Sequence, residues 1–108
     1  MKLAPDTLIA PEKITNYLLR WRVEDDKSAF LAKAGYTLDT ADRLAADLRA
    51  QLLPLEAELF DRSEYGDKYI IRGKLKGPNQ KVLRVVSVWM IENAGGMAKF
   101  VTLYPDKK

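Results

Sequence analysis

The stretch KYIIRGKLK, residues 68–76, places Arg72 and Lys74 two positions apart. Alternate residues of an extended chain point to the same side, so both cationic heads, with Ile70, face one way. Tyr69 and Ile71 face the other, joined by Leu75 beyond an irregularity expected at Gly73. Near the C-terminus, KFVTLYP puts Thr102 and Tyr104 on one face together with Phe100, and Arg84 lies on the intervening segment. Cations, a hydroxyl and a phenol gathered on an open sheet face suit metal-independent cleavage of RNA. In that reaction the 2′-hydroxyl attacks the adjacent phosphate. One group accepts its proton, a cation takes up the charge gathering on the phosphoryl oxygens, and a donor protonates the leaving oxygen. Arg72 fits the cation role because its planar fork meets two phosphate oxygens and keeps its charge. Lys74, Tyr104, Thr102 and Lys27 complete the candidate set. Lys27 is expected in a first helical turn, where the helix dipole disfavours a cation, and a residue kept against that preference invites a catalytic or phosphate-binding role. Each residue also has an ordinary explanation: surface strands carry Arg and Lys to stay soluble and deter edge pairing, and Thr and Tyr are common strand residues.

The rest of the composition narrows the chemistry. With no histidine, the usual general base near neutral pH and the commonest metal ligand are missing. With no cysteine, disulfides and thiolate metal sites are excluded. No cofactor or metal is expected. Glu24, Asp25 and Asp26 cluster, but acids just before a helix read as a cap and a dipole partner. GKLKG is not followed by a helical pattern, so it is no phosphate loop. The net charge of +3 permits contact with RNA or an acidic protein without requiring either. Pro5, Asp6 and Pro11 interrupt the N-terminal MKLAPDTLIAPEK, which is neither a leader-like apolar run nor a membrane span. VVSVWMI is far too short to cross a bilayer, so the expectation is a cytoplasmic protein with no membrane contact.

The elements that must position these residues change character midway. At 108 residues the expectation is one domain, 1–108, mainly helical over 1–54 and mainly β over 55–105. APEKITNYLLRW reads as a helix opened by Pro11, with Ile14, Leu18 and Trp21 on one face. Asp25 or Asp26 can cap a second short helix, KSAFLAKA, and Gly35 supplies a left-handed stop. TLDTADRLAADLRAQLLP is the clearest helix: Thr37, Asp39 or Thr40 caps it, Ala41, Leu44, Ala45, Leu48 and Leu52 form its apolar stripe, and Pro54 ends it. Asp42, Arg43, Asp47 and Arg49 read as its solvated face. Beyond Pro54, LEAELF and KYIIRGKLK alternate, GPNQ is a hairpin connection, and KVLRVVSVWMIE is apolar on both faces, as an inner strand would be. NAGG then turns the chain into MAKFVTLY. Sequential strands usually pair, so that last segment is expected beside VVSVWMI, packed at the centre of the fold. Trp89 is expected in the core, and Trp21 and Tyr36 as packing residues. The fold class is α+β, with N-terminal helices on one face of a roughly four-stranded antiparallel meander.

In the order YLL, DKSAFLAKAGYT, YGDKYIIRGKLKGPN, VVSVWMIE and KFVTLYP, the chain resembles a family of uncharacterised small bacterial domains. Members stand alone beside another small gene or end larger secreted or phage-associated proteins, a distribution that resembles toxin domains. The helices-then-meander order also looks like the ribonuclease superfamily of barnase, EndoU, colicin nucleases and RelE, by fold-level analogy. Family members often carry a histidine ahead of KSAFL, where this chain has Val23, Glu24 and Asp25. The resemblance implies the toxin of a toxin–antitoxin pair, an endoribonuclease that works without metal and is neutralised by a small antitoxin-like protein. The alternative is a non-enzymatic protein-binding module: an antitoxin, an immunity-like protein or a structural adaptor.

Overall fold

The computed structural model describes residues 1–19, 27–93 and 96–106. Pro11 opens helix α1 (Pro11–Lys13), as its fixed φ and missing N–H favour. The chain then widens into a π-type turn, Ile14–Leu18, in which the Leu19 N–H reaches the Ile14 carbonyl. Ile14 and Leu18 are buried. Helix α2 (Ser28–Ala32) buries Leu31 and stops ahead of Gly35, whose φ of +91° is the left-handed conformation expected there. Lys27 occupies the N-cap position of α2, not its first turn. The proposed caps Asp25 and Asp26, the acidic cluster with Glu24, Trp21 and the Gly95 turn lie outside the described residues.

A 3₁₀ turn, Leu38–Thr40, leads into α3 (Ala41–Asp47), which continues as a second wide turn, Leu48–Leu52. The Thr37 N–H donates to Thr40 Oγ1 at 2.8 Å, one half of a capping box. Leu44, Leu48 and Leu52 are fully buried along the expected stripe, with Ala41 and Ala45 half-buried beside them. Asp47 corrects the solvated-face reading: it is 8% exposed. The buried Tyr36 hydroxyl donates to its Oδ2 at 2.6 Å, and Arg43 Nε donates to both of its oxygens at 3.1 and 3.0 Å. Those partners make burial of the carboxylate tolerable. Burial, then the bond to Asp47, holds the Tyr36 phenol protonated well above the ordinary tyrosine range. Among the described residues no helix is long and apolar enough to cross a membrane.

Strands β1 (Glu58–Arg62), β2 (Gly66–Lys76), β3 (Val82–Glu92) and β4 (Ala98–Pro105) form one antiparallel sheet in the order β1-β2-β3-β4, with the helices on one face: an α+β fold. VVSVWMI is an inner strand, as its apolar run predicts. The helix-facing side holds Ile71, Leu75, Val85, Trp89, Phe100 and Leu103, each essentially sealed from solvent. The rings of Trp89 and Phe100 meet edge to face at 5.1 Å. The Trp89 indole N–H donates to Ser87 Oγ at 2.8 Å, and Ser87 in turn donates to the Ile71 carbonyl.

Three expectations need correction here. Pairing of β2 with β3 runs unbroken from Gly66 opposite Glu92 to Lys76 opposite Val82, so Gly73 causes no irregularity. Its missing side chain instead makes room for the helical half, because a Cβ there would lie 2.7 Å from Leu55 and 2.8 Å from Leu52. The irregularity falls on β4. The register shifts between Val88 and Trp89, so Phe100 stays opposite Trp89 on the helix side while Thr102 pairs with Val88 on the other face. Phe100 therefore does not share a face with Thr102 and Tyr104. Finally, β4 pairs with β3 as expected but is an edge strand, not a central one. Leu8 covers part of its outer side, accepting from the Phe100 N–H and donating to the Ala98 carbonyl.

Candidate functional site

Strand register determines which side chains meet on the sheet face that the described helices leave open. Directly opposed residues of antiparallel neighbours share a face. Three rows therefore cross β2, β3 and β4 in succession. The first is Ile70–Val88–Thr102 and the second Arg72–Val86–Tyr104. The third begins with Lys74 opposite Arg84 and continues to Asp106, whose N–H donates to the Arg84 carbonyl at 3.0 Å. Rows are spaced by two residues, about 7 Å along the strand. Tyr104 and Arg72 stand on either side of Val86, about 10 Å apart across two strand spacings.

The floor is apolar. Ile70, Val86 and Val88 form a small buried cluster of their own, with half-buried Val101 against them. Arg72, Lys74, Arg84 and Tyr104 are exposed around it. Exposed polar groups thus rim a small apolar strip.

Lys27, from the helical half, is half-buried, and its Nζ donates to Thr102 Oγ1 at 2.7 Å. That bond joins residues 75 positions apart and brings the ammonium into the first row, one row from Tyr104. Arg72, Lys74, Thr102 and Tyr104 thus lie on one face, with Lys27 tied to it through Thr102.

Asp106 is absent from the sequence-derived set. Its Oδ1 lies 3.5 Å from Arg72 Nη1, with the Asp106 side chain 12% exposed and that of Arg72 43%. The signal that would have found it is plain alternation, because Thr102, Tyr104 and Asp106 follow one another at strand spacing. Among the described residues no group of three or more His, Cys, Asp or Glu side chains is placed to hold a metal ion. A separate recess of about 520 Å³, lined by Leu19, Ala32, Tyr36 and Leu38 among others, belongs to the helical half and contains none of the candidate residues.

Comparison with curated proteins and with solved structures returned no match. A family model does match, over residues 3–107, and that span includes every strand of the sheet and every residue of the open face described above. The chain belongs to this family, described as Domain of unknown function (DUF6883).

Proposed function

We propose that the protein is the toxin of a toxin–antitoxin pair, a metal-independent endoribonuclease that acts on cytoplasmic RNA through the open sheet face. One observation carries the reading: register places Arg72 and Tyr104 in a single row, with Lys74 in the next row and Lys27 bound to Thr102 in the row before. The 2′-oxygen forms a bond to phosphorus, the bond from phosphorus to the 5′-oxygen breaks, and a cyclic phosphate remains. Arg72 faces the phosphoryl oxygens, where charge accumulates in the transition state. The Asp106 carboxylate beside it accepts the proton of the 2′-hydroxyl. Tyr104 donates a proton to the departing 5′-oxygen. Lys74 adds a second cation, and Thr102 holds the Lys27 ammonium at the edge of the site.

The apolar floor of Ile70, Val86, Val88 and Val101 favours a second reading, a non-enzymatic module that grips a small partner protein with the same face. Induced expression of the chain alone separates the two. Growth arrest with breakdown of cellular RNA supports the nuclease, whereas harmless accumulation to high level supports the binding module.

A further inference from the structure

We infer that Lys74 and Arg84 form a phosphate-holding subsite for the RNA backbone, next to the group around Arg72. The inference rests on the reading that the open face meets RNA. Lys74 and Arg84 are direct cross-strand partners, both exposed, and like charges placed directly opposite one another destabilise a sheet. Among the described residues neither has an ion pair. The carboxylate in their own row, Asp106, is engaged by Arg72. Edge protection accounts for Lys74, which lies on the end of β2 that β1 does not reach, but not for Arg84 on inner β3. Two opposed cations with no counter-charge among the described residues are what an anion from outside would relieve.

Tyr104 points to the kind of anion. It stands one row away on the same face and is 39% exposed. Cations that follow a backbone beside an aromatic ring on which a base can stack are the pattern of single-stranded nucleic-acid binding. A phosphate between Lys74 and Arg84 leaves the adjoining nucleotide over Tyr104 and Arg72.

A single-stranded RNA oligonucleotide with 2′-O-methyl riboses tests this, because it lacks the nucleophile and reports binding whether or not the protein cleaves. Binding by the intact protein should weaken about tenfold in Arg84→Gln and in Lys74→Gln. The slope of log affinity against log salt should fall by about 0.7 for each cation removed. Arg84→Lys should restore the slope. Melting temperature should stay level or rise in Arg84→Gln, because a repulsion has been removed; a merely structural arginine would lower it. Variants that bind like the parent with an unchanged slope overturn the subsite. So does an oligo-glutamate peptide that the parent binds more tightly than the oligonucleotide, an outcome that assigns the pair to an acidic protein segment. If the parent binds with the expected slopes but leaves ordinary RNA uncut, the subsite stands and the nuclease reading falls. If the parent cuts RNA and both variants bind normally, the reverse holds.

Discussion

The two faces of this sheet come from the same strands, yet alternate residues have gone to opposite purposes. On the helix side, Ile71, Leu75, Val85, Trp89, Phe100 and Leu103 exclude water, and the Trp89 indole donates to Ser87, which donates in turn to the Ile71 carbonyl. On the open side a narrow strip of Ile70, Val86 and Val88 supports exposed cations, two of which oppose each other with no ion pair among the described residues. A buried core is arranged to leave no polar group wanting a partner. On the open face, Lys74 and Arg84 have no ion pair among the described residues. The helix-side face is built to hold the fold together, and the open face is the one the proposed function assigns to contact with RNA.

Substitutions on the two faces should therefore separate stability from activity. The largest effect is expected at Trp89: Trp89→Ala should lower the unfolding free energy by about 3–5 kcal/mol, read as a fall in urea midpoint. That is a large share of the roughly 5–15 kcal/mol by which a typical domain is stable. An unchanged midpoint would break the comparison at once. Ser87→Ala removes the acceptor of the Trp89 indole N–H at a site with no solvent and should destabilise by about 1–3 kcal/mol. On the open face, Val86→Ala should lose only about 1–2 kcal/mol from the methyl groups removed. If it matches Trp89→Ala, the open face is a second core and the division fails.

A pH experiment probes the helical half. The Tyr36 phenol is held protonated above its ordinary range in the folded chain, so the folded state keeps a proton that the unfolded state gives up. This stabilisation is complete below about pH 10 and declines as pH rises further, toward the folded-state value. The parent should lose up to about 1.4 kcal/mol per pH unit above that point more than Tyr36→Phe does, as seen in denaturant midpoints of the two proteins. Parallel pH profiles would show that the phenol is not held as described. The smallest stability change is expected at Tyr104, which is 39% exposed: Tyr104→Phe should alter the melting point little while slowing the proposed RNA cleavage, since it removes only the hydroxyl.

Periodicity in the sequence carried much of this architecture. Alternation located β2 and β3, the GPNQ turn joined them, and a strand apolar on both faces could only be an inner one. Alternation also placed Arg72 with Lys74 and Thr102 with Tyr104. It failed where one residue too many entered a strand. The shift opposite Val88 and Trp89 moved Phe100 away from Thr102, and no local residue type in KFVTLYP announces a bulge. Asp47 departs from its expected place for a different reason. Helical spacing put it off the apolar stripe, but the partner that draws it inward, Tyr36, lies on a separate element. Lys27 and Thr102 meet only through tertiary structure, which no spacing rule reaches.

The most direct test of the division between the faces is the rate of RNA cleavage by Arg72→Ala beside the parent, with thermal melts of both. The guanidinium lies on the open face, outside the sealed core, and in the proposed reaction it meets charge that develops only in the transition state. On the proposed function the parent should cut RNA without added metal, the variant should be slower by at least about a hundredfold, and the two should melt within a few degrees of each other. Equal cleavage by two proteins that melt alike would contradict it.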